Sequence, residues 1–136
     1  MPLDWSPFID LVRRHQRFLL TTHVRPDGDG LGSMLALADT LTALGKQAEL
    51  TVGSVIPPRY HFLDPQGIVK RFNPAAPAQA DAVVVMDTGT WNQLGDVGKF
   101  ISGLQVPKLV IDHHMTQDDL GATRLVDTSA EARERY

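Results

Sequence analysis

Residues 17–52, RFLLTTHVRPDGDGLGSMLALADTLTALGKQAELTV, decide the fold. RFLLTT (17–22) is a short β-type run, and the PDGDG turn separates it from LGSMLALADTLTAL. There Leu31, Met34, Leu35, Ala38, Leu41 and Leu44 recur at i, i+3 and i+4, the spacing of one helix face. Gly45 supplies a helix stop, and QAELTV (47–52) follows as a second strand. The stretch is therefore strand, turn, helix, strand. Outward from it the alternation continues. Before it, Ser6 reads as an N-cap with a proline in the first turn, and Phe8, Leu11 and Val12 as the apolar face of a helix ending near His15.

After residue 52, IPPRYHFLD reads as a proline-opened helical turn and GIVKRF as an edge strand. Residues 73–79, rich in Pro and Ala, read as a surface loop. Ala82–Met86 and Leu109–Ile111 are continuous apolar runs, as in strands covered on both faces by helices. Residues 90–105 supply a short, glycine-interrupted helix between them. The fold class is α/β, a mostly parallel sheet with helices on both faces and Rossmann-like layering. No internal repeat or low-complexity segment interrupts it.

Bulk properties exclude more than they select. A chain of 136 residues with 43% hydrophobic residues has the size of one domain with one sizeable core. Its net charge of −3 gives no broad attraction to nucleic acid or anionic membrane, so a phosphate ligand needs local cations. The absence of cysteine removes disulfides, thiolate zinc sites and cysteine nucleophiles together. The N-terminal MPLDWSPFIDLVRR has no apolar run after a basic start, and no stretch approaches the roughly 20 apolar residues that span a bilayer. A cytoplasmic protein is expected.

Three clusters close predicted strands: His23-Val-Arg-Pro-Asp27-Gly-Asp29, the lone Asp87 after AVVVM, and Asp112-His113-His114 after KLVI. In an open parallel sheet such ends line one crevice, where ligands and metals collect. His23, Asp27 and Asp29 offer three candidate ligands within one glycine-rich turn. Two carboxylates there repel an anion, and GDGLG matches neither the GxGxxG nor the GxxxxGK[ST] phosphate pattern, so the loop favours a cation. Pro-Asp-Gly-Asp-Gly is also good turn chemistry in any protein, and a strand-terminal Asp such as Asp87 often caps the next turn. The consecutive ionisable residues 112–114 are harder to explain that way, because burying them unpaired is costly. Adjacent side chains on extended backbone point to opposite faces, so one histidine is available to a metal while the other faces bound substrate. His15 and His61 lack acidic neighbours and read as ordinary surface or packing residues.

Carboxylate and imidazole donors without thiolate suit Mn²⁺, with Mg²⁺, Zn²⁺ and Co²⁺ as the other fits. Five candidate side chains, one able to bridge, imply a pair of ions about 3.5–4 Å apart that activate water and clamp a phosphoryl group. That is the chemistry of phosphoester or phosphoanhydride hydrolysis.

HVRPDGDGLGS (23–33), Asp87 in VVVMDTG and VIDHH (110–114) resemble, in order and spacing, the first three motifs of the DHH phosphoesterase superfamily. HxxPDGDxxGS and LVDTSAEA (125–132) are most similar to its bacterial oligoribonuclease and pAp phosphatase (NrnA-like) branch. The RecJ exonucleases and family II pyrophosphatases are more distant.

The resemblance implies that His23 and Asp27 bind one Mn²⁺, Asp29 and His113 the second, and Asp87 both. It casts Asp112 as an orienting group and His114 as the residue facing the phosphate, the two catalytic residues, with no organic cofactor. Gly30, Gly32 and Ser33 would start the helix behind the metal loop. The implied reaction is hydrolysis of a short oligoribonucleotide or of pAp by a water held between the metals. Members of the superfamily continue past LVDTSAEA to a further metal-binding Asp and a C-terminal DHHA1 domain, which these 136 residues do not contain. Asp118, Asp119 and Asp127 match no such motif and read as turn and surface residues. The chain is thus expected to be an N-terminal DHH domain only. Its partners would be short RNA or nucleotide, with a homodimer or a separate C-terminal half as protein partner and no membrane. The alternatives are an inert or partner-dependent module that binds metal or oligomerises, and a family II-type inorganic pyrophosphatase.

Overall fold

A computed structural model of the chain describes residues 5–77, 79–86, 93–112 and 123–126. The strands are β1 (Arg17–Thr21), β2 (Gln47–Val52), β3 (Val69–Arg71), β4 (Ala82–Met86), β5 (Lys108–Asp112) and β6 (Thr123–Val126), and the helices are α1 (Ser6–Arg14), α2 (Gly28–Ala43) and α3 (Asp96–Gly103). A 3₁₀ turn, Pro58–Leu63, precedes β3. The six strands form one sheet in the order β3-β2-β1-β4-β5-β6, and every neighbouring pair is parallel. Strand β6 had no counterpart in the apolar pattern, since Thr and Arg open it.

Alternation along the central strands divides the core into two layers. Phe18 and Leu20 of β1, Ala82, Val84 and Met86 of β4, and Leu109 and Ile111 of β5 pack with Leu11 and Val12 of α1 and Leu31, Met34, Ala38 and Leu41 of α2. The intervening Leu19, Val83, Val85 and Val110 pack on the other face with Leu94 and with Val97 and Ile101 of α3. Helices cover both faces, as the continuous apolar runs require. Every residue of β4 is buried. Each large side chain so buried contributes about 1.5–3 kcal/mol from lost apolar surface alone.

Local signals explain the element ends. Gly45, at φ 79°, ends α2 in a Schellman arrangement: its amide bonds to the Thr42 carbonyl at 3.0 Å and the Lys46 amide to that of Leu41 at 2.9 Å. Leu44 therefore sits at the C-cap, leaves the apolar stripe and is 59% exposed, contrary to the helical spacing. Helix α1 starts one residue early. Trp5, whose ring stands edge-on to Phe8, occupies the N-cap and its carbonyl accepts from Ile9 at 3.0 Å, so Ser6 is the first helical residue. Of the helix expected over 90–105, residues 90–92 lie outside those described, and over 93–105 α3 runs from Asp96 to Gly103, beginning after Gly95 at φ 61°. At the β3 edge, Lys70 and Arg71 are exposed, which blunts that edge against pairing with another chain.

The strand order reverses direction between β1 and β4. Chain progress runs outward through β2 and β3 on one side and through β5 and β6 on the other. The crevice beyond the carboxyl ends of β1 and β4 is the switch point at which ligands of open α/β sheets bind.

Candidate metal centre

The loop leaving β1 carries the first cluster into this crevice. Thr22, fully buried, donates its hydroxyl to the Met86 carbonyl at 2.7 Å and so ties the carboxyl end of β1 to that of β4. Gly30 fits against it: a Cβ there would stand 2.8 Å from the Thr22 hydroxyl oxygen. The loop is wedged from both sides. The Val24 amide donates to the Gln93 carbonyl, and the Arg25 amide donates to the Ser54 hydroxyl at 2.8 Å. A Cβ on Gly53 would lie 2.5 Å from the Leu94 carbonyl, and one on Gly95 2.9 Å from a Val24 methyl. Arg25 adopts the left-handed region, φ 52°, and is the one non-glycine residue to do so among those described. Such a conformation persists where the surroundings over-determine it, and it cocks the chain into buried Pro26 and then Asp27.

Asp27 divides its two oxygens between structure and chemistry. It is the N-cap of α2: Oδ1 accepts the Gly30 amide at 2.8 Å, one of the donors a helix start leaves without a partner. Oδ2 faces the His23 ring, 3.8 Å from Nε2. His23 Nδ1 lies 2.8 Å from the Val24 carbonyl. A carbonyl only accepts, so Nδ1 carries the proton of that contact, and a neutral ring then presents its lone pair at Nε2, on the Asp27 side. A hydrogen bond does not span 3.8 Å. Two donors each about 2.1 Å from one ion stand between about 3.0 Å apart at a right angle and about 4.2 Å in line, so this pair fits a shared cation. A backbone carbonyl fixing the second ring nitrogen is also the usual support of a metal-binding histidine. The ring is 18% exposed and the Asp27 side chain 51%, so an ion reaches the pair from solvent.

The remaining predicted residues stand as follows. Asp29 lies in the first turn of α2, two residues beyond Asp27. Asp112 is the last residue of β5, in register with Val126. Asp87, His113 and His114 lie outside the described residues, as do Asp118, Asp119 and Asp127; Asp87 and His113 follow directly in sequence on the strand ends Met86 and Asp112. Among the described residues no three His, Asp or Glu side chains converge on one point. His15 is a packing residue, its Nδ1 2.9 Å from the Leu11 carbonyl, and His61 is exposed on the 3₁₀ turn. An apolar hollow of about 390 Å³ between α1, α2, Met86 and Ile111 is lined by Trp5, Phe8 and Leu37, with no titratable group among the described lining residues.

Sequence reasoning missed Thr22, Ser54 and Tyr60. The signal for Thr22 was a polar residue ending an apolar strand, but its partner is 64 residues away. Tyr60 faces the start of α2 beside Asp27, where a Cβ on Gly28 would stand 3.6 Å from Tyr60 Cε1. No helix among the described residues is long and apolar enough to cross a membrane.

Comparison with known proteins agrees with this architecture. The chain is 33% identical over 121 residues to the bifunctional oligoribonuclease and PAP phosphatase NrnA of Thermus thermophilus, a match covering 83% of this chain and 32% of that protein. The protein of the same name from Bacillus subtilis is 28% identical over 125 residues, covering 92% of this chain and 38% of the relative. The chain thus spans about a third of the length of these relatives. An exopolyphosphatase-related protein from Bacteroides fragilis superposes with a TM-score of 0.87 at 18% identity over 98% of this chain and 42% of its own, which establishes the shared fold. Residues 17–133 match the DHH family, N-terminal domain, and the chain belongs to that family.

Proposed function

We propose that this chain is the metal-binding N-terminal domain of a metal-dependent phosphoesterase that acts on short oligoribonucleotides or pAp. The observation that carries the reading is the His23–Asp27 pair, 3.8 Å apart at the switch point, each residue held by a backbone partner on its other polar atom. Membership of the DHH family and likeness to proteins named as oligoribonuclease and PAP phosphatase support the substrate class.

In this reading His23, Asp27, Asp29, Asp87 and His113 hold two divalent cations, Mn²⁺ by the choice of donors. Bound cations there supply Lewis acidity and lower the pKa of a water molecule towards neutrality. The chain's own residues do the rest. Asp27 Oδ1, fixed by the Gly30 amide, keeps Oδ2 aimed at the site without rotamer search. The Val24 carbonyl holds the His23 proton at Nδ1, so Nε2 donates its lone pair. Thr22 fixes the end of β1 against that of β4, and the Ser54–Arg25 bond fixes the β1 loop against the end of β2. His114 supplies a proton donor to the phosphate and Asp112 orients the neighbouring imidazole. The location is the cytoplasm.

The test is hydrolysis of pAp and of a 5′-labelled RNA dinucleotide by the 136-residue chain with and without Mn²⁺, beside Asp87→Ala. Turnover that needs Mn²⁺ and disappears in the variant is the expected result. Equal rates in both proteins would overturn it.

A further inference from the structure

The 3₁₀ turn Pro58–Leu63 has three residues per turn, so side chains at i and i+3 eclipse and it presents three separate faces. Tyr60 and Leu63 share the inward face, and both pack on the core. Arg59 and Phe62 share an outward face, and both are exposed. Phe62 is 74% exposed, the most of any large apolar side chain among the described residues. The Arg59 guanidinium lies over the Tyr60 ring, 4.8 Å from its centroid, and no carboxylate pairs with it among the described residues. Tyr60 Cε1 in turn faces Gly28, between Asp27 and Asp29, at the distance where a methyl added to that glycine would just meet it, 3.6 Å. The cation and the bare aromatic ring are thus carried by a 3₁₀ turn whose Tyr60 faces the start of α2 beside Asp27.

We propose that Arg59 and Phe62 form a stacking platform for a nucleobase of a substrate whose phosphate sits at the His23–Asp27 loop. The proposal rests on the phosphoesterase reading and deepens it, by requiring a substrate with a base instead of inorganic pyrophosphate. Unpaired bases are recognised by stacking on aromatic rings and guanidinium planes, and every base has a face to offer. The chemistry matches: a chain of net charge −3 needs a local cation beside an anionic ligand, and Arg59 is one already ordered on Tyr60. Phe62 contributes little to the core at its exposure, so its value lies in what it covers on binding.

The experiment is titration of the full chain with a non-hydrolysable phosphonate analogue of the dinucleotide ApA in Mg²⁺, which leaves the cation in place without turnover, followed by amide correlation spectra, with Phe62→Ala, Phe62→Trp and an abasic analogue alongside. Expected are shifts at the 59–62 amides, a Kd raised roughly 5–150-fold in Phe62→Ala, as loss of one stacked base implies, near-native affinity in Phe62→Trp, and no shifts at 59–62 with the abasic ligand. Unmoved 59–62 amides, or equal affinity of wild type and Phe62→Ala, would overturn the platform, including the case in which Phe62 is covered by a second copy of the chain. Failure of Mn²⁺-dependent hydrolysis with Phe62-dependent binding of the ApA analogue intact would sink the phosphoesterase reading and leave the platform standing.

Discussion

The two ends of the sheet are built from the same kinds of bond to opposite effect. At the amino end, Asp81 uses both carboxylate oxygens on main-chain amides, Oδ1 from Arg17 at 2.9 Å and Oδ2 from Gln16 at 3.2 Å. The Gln16 carbonyl accepts from Gln47 at 2.9 Å and its side-chain amide donates to the Gly45 carbonyl at 2.6 Å, so the starts of β1, β2 and β4 are stitched together. Both Asp81 oxygens and the Gln16 carbonyl and side-chain amide hold main chain there. At the carboxyl end Asp27 spends one oxygen on the helix start and turns the other to His23. Asp81 thus holds main chain with both oxygens, whereas Asp27 keeps one oxygen on the side of the His23 ring.

The largest expected effect separates the two duties of Asp27. Serine caps a helix about as well as aspartate, so Asp27→Ser should keep stability within about 0.5 kcal/mol, while Asp27→Ala costs about 1 kcal/mol. Both should lose Mn²⁺-dependent turnover by at least about 100-fold, since even altering the support of a metal ligand costs 10–100-fold. Urea midpoints and initial rates on the same preparations check this. A serine variant as unstable as the alanine one would mean that the Oδ1 cap is not what holds the loop.

Next comes the packing that wedges the loop. Gly53→Ala places a methyl 2.5 Å from the Leu94 carbonyl, backbone that has no rotamer to yield, and should cost about 1–3 kcal/mol in urea unfolding. An unchanged midpoint would show that the β2 and β4 loops are not packed as tightly as the strands below them.

The amino end can be broken by pH. Burial pushes the Asp81 carboxyl up, but the Arg17 and Gln16 amides and the charge of His15 outweigh it and hold the pKa below its ordinary value. A depressed folded-state pKa contributes stability that is full above the unfolded value of about 3.9 and lost as pH falls through the folded one. Solvent reaches Asp81, so the effect should stay at or below about 1 kcal/mol. Asp81→Asn should lower stability at pH 7 by that amount and flatten its loss between about pH 5 and pH 3, read from thermal midpoints across that window. A variant whose midpoint falls with pH as steeply as wild type would remove Asp81 from the account.

The smallest effect has the opposite sign. Gly30 and Gly32 stand two apart in α2, but a Cβ on Gly32 meets nothing within 4 Å among the described residues. Gly32→Ala should therefore stabilise by about 0.4–1 kcal/mol through the unfolded chain and helix propensity, with turnover unchanged. A loss of turnover would place Gly32 in the site.

Much of this was legible beforehand because the signals were local. QAELTV and AVVVM match β2 and β4 residue for residue, Gly45 ends α2 as its φ requires, and GIVKRF contains the short edge strand. Leu44 and Ser6 were misplaced by one position of context: a cap residue leaves the apolar stripe, and an aromatic ring extended α1 backward onto Trp5. Within the site, His23 and Asp27 were readable from four-residue spacing in one turn. Thr22 with Met86 and Arg25 with Ser54 were not, because their partners lie 64 and 29 residues away.

The sequence by itself determined the α/β alternation, the strand-end position of His23, Asp27 and Asp112 and the absence of thiols, because periodicity, turn residues and side-chain chemistry are properties of short segments. Only the tertiary structure decided the strand order that sets β1 beside β4, the split use of the Asp27 oxygens and the placing of Tyr60 opposite Gly28. Each of these depends on backbone groups distant in sequence meeting at ångström distances, which no local pattern encodes.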